Sequence, residues 1–353
     1  MLSFAVGTGM LLFLPIASLS GDVSMVVTQG AVTTAAVLLC ILLAAPLGLR
    51  APAPVKNPVA FAPMLREVWV FTLIQLAGLV GMNAAGWWLT SLVARADSSL
   101  IQMGFYAIAN QLRNMVGLLP GLLSQSSLAI MSESEGDAER TPDRVLAVCS
   151  FVSTIVSFAL AGVGILIAPS ALGLIYGRSF EAASAATILS LATAVVHMGN
   201  APAAGRLAIV SIKSTGVINT IWAILVAAFA TLFLFNGGSA AAGAALILAA
   251  HILSSTLVLA VLKWKASVPP GLVGLYALST MGTLALSSVA LARDWMPAWG
   301  SFVLLSVIFL GCLGLLAAMA RKHRWMPNGA VTLRLLSVVR EFLAVRSGRG
   351  VCE

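Results

Sequence analysis

The chain has 353 residues, of which 60% are hydrophobic and only 9% are charged, and its mean hydropathy is +1.02. Because soluble domains carry roughly a quarter charged residues, this composition excludes a soluble protein and predicts an all-α, polytopic bundle of membrane-spanning helices. The net charge of +8 comes largely from loops and the C-terminal tail, where basic residues set membrane topology, so nucleic acid is not a predicted partner.

Ten apolar stretches are long enough, at roughly 20 residues each, to cross the hydrocarbon core of a bilayer. In chain order they are 3–19, 24–48, 67–94, 100–130, 145–168, 183–210, 215–236, 239–262, 271–292 and 299–320. The apolar stretch 165–176 is interpreted as the end of the fifth span, bent at Pro169, and not as a separate span.

These spans divide the chain into four segments. Residues 1–49 hold two helices, 50–66 form a cytoplasmic linker, 67–320 hold eight helices and 321–353 form a basic tail. Prolines in the linker prevent a continuous helix and separate the first two spans from the other eight. In the tail, apolar and basic residues recur at helical spacing over 331–346. This pattern predicts an amphipathic helix on the anionic lipids of the inner leaflet, with a partner-binding helix as the alternative.

Basic residues are distributed unequally between the two sets of loops. The tail and one set of loops hold most of them, whereas the other set holds only Arg95, Arg178 and Arg293. Under the positive-inside rule the more basic set lies in the cytoplasm. The sequence therefore predicts a multi-pass membrane protein with both termini in the cytoplasm.

Arg113 lies near the middle of the span 100–130. A guanidinium at that depth costs about 2.5–3.5 kcal/mol unless water, a counter-charge or helix carbonyls compensate it. Amide side chains surround it at Asn110, Gln111 and Asn114. Two of these, Asn110 and Asn114, follow the helical spacing that places them on one face with Arg113. We expect a wet cavity beside Arg113, and the alternative is a structural arginine satisfied by neighbouring carbonyls.

Other polar side chains also lie at membrane depth. Arg206 is about one turn from the end of its span, so it is either an anchor that reaches the inner leaflet or a cavity residue. Pro202 predicts a local break in the same helix, which is typical of helices that line a cavity. His197 and His251 are each either hydrogen-bonded packing residues or functional residues.

The groups missing from the spans also restrict the function. The acidic residues fall in loops, linker, tail or span ends, and a cavity with cations but no anions favours a negatively charged cargo. The four cysteines are scattered without a metal-ligand spacing, and we find no catalytic motif and no large loop. The sequence therefore predicts no metal, no cofactor and no enzymatic activity.

Two short patterns resemble a known family. They are Gly-x-Tyr-x-x-Ala at Gly104, Tyr106 and Ala109, and Tyr-Gly-x-x-Phe-x-x-Ala at Tyr176, Gly177, Phe180 and Ala183. In this order, and with the proline-rich linker before them, the patterns resemble the second lobe of polysaccharide (O-antigen type) flippases. These flippases belong to the multidrug/oligosaccharidyl-lipid/polysaccharide exporter superfamily, and the resemblance covers roughly residues 66–320.

The resemblance implies a protein of the bacterial inner (plasma) membrane with two six-helix lobes, which open a central cavity to each side alternately. The implied cargo is an oligosaccharide linked to polyprenyl pyrophosphate. It would be flipped from the inner to the outer leaflet for lipopolysaccharide or exopolysaccharide biosynthesis, with a polysaccharide polymerase and chain-length machinery as partners. Only two spans precede the linker, so the chain is expected to lack about four helices of the first lobe.

Two alternatives to the flippase stay open. One is a cation-coupled multidrug or metabolite exporter of the same superfamily, which would need a carboxylate in its cavity. The other is a truncated membrane component that does not transport.

The predicted substrate-binding residues are Arg113, Asn110, Gln111, Asn114, Arg206 and His197. We expect Arg113 to meet the pyrophosphate or an acidic sugar, and the three neighbouring amides to bind sugar hydroxyls. Trp87 and Trp88, near the outer boundary, are interpreted as interfacial aromatic residues and not as platforms for sugar stacking.

Overall fold

The computed structural model describes residues 61–95, 98–133, 142–235 and 237–325. They form eight α-helices: α1 (Phe61–Arg95), α2 (Ile101–Glu133), α3 (Pro142–Tyr176), α4 (Ser184–Val210), α5 (Ile212–Leu234), α6 (Ala240–Lys265), α7 (Leu272–Leu291) and α8 (Ala298–Lys322). Two short 3₁₀ helices, Arg178–Ala183 and Arg293–Trp295, precede α4 and α8. No β-strand occurs in the described ranges.

Each of the eight helices contains a segment that is long and apolar enough to span a membrane. These segments coincide with the last eight predicted spans, so the all-α polytopic bundle is confirmed for the described residues. The stretch 165–176 belongs to the end of α3, as predicted. The predicted spans 3–19 and 24–48 and the tail helix 331–346 lie outside the described residues.

The chain divides into two compact units, Met1–Val68 and Trp69–Glu353. In the first unit only residues 61–68 are described, and they form the start of α1. The helix therefore begins within the predicted linker 50–66. Pro63 is compatible with this start because it lies in the first turn, where a proline removes no helical hydrogen bond.

The helix α4 lies at the centre of the second unit. It is the most buried of the candidate spans, and it packs against α2, α3, α6 and α7. One core, around Phe158 and Leu191, joins α4 mainly to α3, α7 and α8. A second core, around Leu89, Trp222 and Ile247, joins α1, α2, α5 and α6. Between these helices in a bilayer, close packing and hydrogen bonds replace hydrophobic burial as the main attraction.

The helices α1 and α5 approach closely through a glycine. A Cβ atom at Gly216 would collide with Cγ2 of Ile74 on α1, so a larger residue at this position would force the two helices apart. Farther along the same pair of helices, Nε1 of Trp88 donates a hydrogen bond of 2.9 Å to Oγ1 of Thr231. These contacts fix the position of α1 against the bundle.

The break predicted at Pro202 does not occur, because α4 is a continuous helix from Ser184 to Val210. A proline at this position has no N–H for the carbonyl of Met198, four residues earlier. The hydroxyl of Ser153 on α3 donates to that carbonyl instead, at 2.6 Å. Ser153 is completely buried. A side chain from the neighbouring helix thus satisfies the group that the proline leaves free, which is a known way for membrane helices to tolerate proline.

Replacing Ser153 by alanine should destabilise the protein by about 1–3 kcal/mol, because the Met198 carbonyl would be buried without a donor. In a Pro202→Ala background the helix regains its own N–H for that carbonyl, so the same Ser153→Ala change should cost much less. Thermal unfolding in detergent of the wild type, the two single variants and the double variant would measure this coupling. An equal cost of Ser153→Ala in both backgrounds would contradict the assignment of the hydrogen bond.

Candidate functional site

A cavity of about 840 Å³ lies between α1 and α2 in the second unit. We call this cavity the groove. The helices α1 and α2 form its two walls, and α4, α5 and α6 form its floor. The residues that line it are Leu79, Met82, Asn83, Gly86, Trp87, Thr90, Met103, Tyr106, Asn110, Arg113, Asn114, Gly117, Leu118, Gly121, Leu122, Gln125, Ala194, His197, Met198, Trp222, Ile247 and His251.

The groove follows α2 over most of its length. Its lining residues on this helix recur every three or four positions from Met103 to Gln125, which is the spacing of a single helical face. At 1.5 Å per residue this face is about 33 Å long, compared with about 30 Å for the hydrocarbon core of a bilayer. The groove is therefore about as long as a membrane is thick.

Arg113 lines the groove near mid-membrane. It is about 5 Å along the axis from the centre of the span Ile101–Ser132, and its side chain is half-buried. The guanidinium interacts electrostatically with His197 and His251 on the floor and with Tyr106 on its own helix. Arg113 thus faces the groove.

The structure brings together four of the six predicted substrate-binding residues. Asn110, Asn114 and His197 line the groove with Arg113, whereas Gln111 does not. Gln111 is exposed elsewhere on α2, because two residues along a helix correspond to a rotation of about 200° from Arg113.

Arg206 lies outside the groove. It was expected to be either a cavity residue or an anchor at the lipid surface. The side chain is only 8% exposed, so the anchoring interpretation, which needs an exposed guanidinium, is wrong. The reason is that the last turns of α4 remain enclosed by the bundle, with neighbouring Leu207 completely buried.

Three aromatic rings form the floor of the groove. His197 on α4 stacks on His251 on α6, with ring centroids 4.6 Å apart and an angle of 25° between the planes. His251 in turn lies against Trp222 on α5, at 5.2 Å and 50°. The residue His197 is exposed and lines the groove, whereas His251 and Trp222 are 7% and 6% exposed. The outermost ring is therefore available to a ligand, and the two inner rings hold it in place.

Sequence analysis did not identify Trp222. It lies in the largely apolar helix α5, and nothing in its local sequence indicates that it faces two histidines from other helices. His197 and His251 are 54 positions apart in the sequence, so the local sequence of either one does not indicate the other. Only the packing of α4 against α6 brings them together.

The two adjacent tryptophans on α1 have different environments. Trp87 lines the groove and is 59% exposed, and its interpretation as an interfacial residue stays a prediction. Trp88 lies outside the groove and donates its N–H to Thr231. Consecutive residues on a helix differ in direction by about 100°, which explains the difference.

The groove is cationic and polar at its centre. Among the described residues that line it, Arg113 is the only one with a full charge, and there is no aspartate or glutamate. No group of three His, Cys, Asp or Glu side chains within the described ranges is placed to hold a metal ion. The arrangement suits an anion at Arg113 and hydroxyl or amide groups at Asn110 and Asn114.

Near the α1–α2 connection, the helices α1 and α2 come close to α6. There Leu89 and Val93 of α1 and Tyr106 of α2 meet over Gly243 of α6. A Cβ atom at Gly243 would lie 3.2 Å from Val93 and 3.4 Å from both Leu89 and Tyr106. The helices α1 and α2 therefore converge at this end of the groove. They can do so because Gly243 on α6 has no side chain.

Comparisons with protein-family models, with curated proteins and with solved structures gave no match. The functional argument therefore depends on the residues and geometry of the groove.

Proposed function

We propose that this protein is a translocase that flips a polyprenyl-pyrophosphate-linked oligosaccharide from the inner to the outer leaflet of the bacterial inner membrane, for surface polysaccharide biosynthesis. The observation that supports this most directly is Arg113 lining a groove at mid-membrane. An arginine at this depth is costly unless it has water or an anionic partner, and ionisable residues within spans commonly mark substrate pathways.

The chemistry of the groove matches an amphiphile of this class. A pyrophosphate would pair with the guanidinium, and sugar hydroxyls would find donors and acceptors at Asn110 and Asn114. At the rim, Leu79 and Leu118 are 59% and 56% exposed, and such apolar residues can stay in contact with an isoprenoid tail. A single groove can therefore accept both ends of the lipid.

A cation-coupled exporter is favoured less. Coupling to a metal ion or proton commonly uses an intramembrane carboxylate, and none lines the groove among the described residues. The cavity instead favours a negatively charged cargo, and an inside-negative potential assists outward movement of an anion by about 2.3 kcal/mol per charge per 100 mV.

Filling the groove should stop translocation. Gly86 lines it, and a Cβ atom added there would meet no other atom within 4 Å. We expect Gly86→Phe to lower the rate to background while leaving the fold intact, because the ring would occupy the space of the substrate. The assay uses proteoliposomes with polyprenyl-pyrophosphate-linked N-acetylglucosamine, and an external galactosyltransferase labels only the outer leaflet. Labelling beyond the outer-leaflet half would report translocation.

The matched control is Gly311→Phe. Gly311 also has open space around its Cβ position, but it lies on the exposed face of α8, away from the groove. This variant should translocate like the wild type. If the wild-type protein does not raise labelling above that of protein-free vesicles, or if Gly86→Phe works normally, the proposed function is wrong.

A further inference from the structure

The polar residues of the groove are open to the side of the bundle and not enclosed within it. Asn83 on α1 and Asn114 and Gln125 on α2 line the groove and are exposed. In the part of the chain that the structure describes, no other helix covers them. An amide left in hydrocarbon without a hydrogen-bonding partner costs several kcal/mol. Nδ2 of Asn83 already donates to the carbonyl oxygen of Leu79, at 2.9 Å. A polar molecule in the groove would provide hydrogen-bond partners for the other amide groups.

The residues that line the groove are polar at its centre and apolar at its edge, which matches the change from headgroup to acyl chains in a lipid. The centre of the groove holds the guanidinium of Arg113 and the exposed amides, and its rim holds exposed leucines, including Leu79 and Leu118. The face on α2 is continuous from Met103 to Gln125, about 33 Å at 1.5 Å per residue. The polar side chains of this face are Tyr106, Asn110, Arg113, Asn114 and Gln125. A headgroup could thus contact the guanidinium and the amides between the leaflets while its acyl chains stay outside the groove.

We infer that the groove also moves the headgroups of anionic phospholipids between leaflets, with the lipid phosphate paired to Arg113 at mid-membrane. Phospholipids are the most abundant phosphate-bearing molecules next to an open groove in a bilayer. The single positive charge and the lack of a lining carboxylate favour anionic over cationic headgroups.

This activity is independent of the proposed oligosaccharide cargo, because it needs neither a sugar nor a polyprenyl chain. It requires only a phosphate, a glycerol-like polar group and two acyl chains. The two functions can therefore be tested separately, with a phospholipid in one assay and the sugar-bearing lipid in the other.

The test uses the full chain in vesicles of phosphatidylcholine that contain a minor fraction of phosphatidylglycerol. A trace of the phosphatidylglycerol carries a fluorophore. External dithionite bleaches the fluorophore in the outer leaflet only. With wild-type protein we expect bleaching to continue beyond the outer-leaflet half, whereas protein-free vesicles stop there. Fluorescent glucosylceramide, which has no phosphate, serves as the comparison lipid and should move more slowly.

Arg113→Gln should slow the movement of phosphatidylglycerol about tenfold, because it removes a charge-assisted contact with phosphate. It should change the movement of glucosylceramide little. The matched control is Arg95→Gln, since Arg95 lies at the end of α1, over the ring of Phe235 and outside the groove. This control should move both lipids at the wild-type rate.

Three results would overturn the inference. They are bleaching at the protein-free level with wild-type protein, an equal slowing of both lipids by Arg113→Gln, and a slowing of phosphatidylglycerol by Arg95→Gln as large as that by Arg113→Gln. Because no sugar-bearing lipid is present, a positive result would stand even if oligosaccharide translocation failed. A negative result would likewise leave the oligosaccharide assay to decide the proposed function.

Discussion

Replacing Arg113 by alanine should reduce translocation of the lipid-linked saccharide by about tenfold to a hundredfold. A hydrogen bond to a charged group contributes about 1.5–3 kcal/mol, and each 1.4 kcal/mol is a factor of ten. The contact between Arg113 and the pyrophosphate would be needed at mid-membrane, where the pyrophosphate is farthest from water. Losing this contact should therefore lower the rate at which the lipid crosses the membrane. The galactosyltransferase assay in proteoliposomes measures it directly.

The fold should survive this change. A guanidinium at membrane depth is itself costly, so alanine at position 113 should not lower the thermal midpoint or the amount of protein in the membrane. Arg113→Lys should recover only part of the rate, because an ammonium keeps the charge but cannot form the two parallel hydrogen bonds of a guanidinium with phosphate. Wild-type translocation by the alanine variant would remove the central support for the proposed function.

Replacing Trp222 by alanine should destabilise the protein by about 3 kcal/mol. The side chain is 6% exposed and belongs to the core shared by α1, α2, α5 and α6. Its ring packs against the ring of His251. Truncation to alanine leaves a cavity that packed helices fill only in part. The midpoint of thermal unfolding in detergent would show the loss, and translocation should fall because His251 and His197 lose their support.

Two variants distinguish the loss of packing against His251 from a general effect of removing a tryptophan. Trp222→Phe keeps a ring against His251 and should retain most of the stability and the translocation rate. Trp264→Ala removes a side chain that is 83% exposed, and it should leave the thermal midpoint unchanged. If Trp222→Ala unfolded at the same temperature as Trp264→Ala, the three-ring floor would have no structural role.

Several properties of the site could be predicted from residues close together in the sequence. Arg113, Asn110 and Asn114 share one face because three and four residues make about one helical turn, and the groove contains all three. Gln111 is two residues before Arg113, a rotation of about 200° around the helix, and it does not line the groove. Proximity in the sequence does not imply a common direction.

Other properties depend on residues that are far apart in the sequence. The stacking of His197 on His251 requires the packing of α4 against α6. The continuity of α4 at Pro202 requires a hydroxyl from α3. In both cases the partner residue lies in a different helix, so the sequence of one helix does not indicate the contact.

The sequence by itself determined that the chain forms membrane-spanning helices and where eight of them lie. In a bilayer, each apolar segment must satisfy its own backbone hydrogen bonds, so length and hydropathy are sufficient. The sequence also located the costly guanidinium at mid-membrane. Only the tertiary structure decided which helix faces meet, which polar groups share the groove, and that Arg206 is enclosed. Between helices in lipid, the outcome depends on close packing and on individual hydrogen bonds, which hydropathy does not encode.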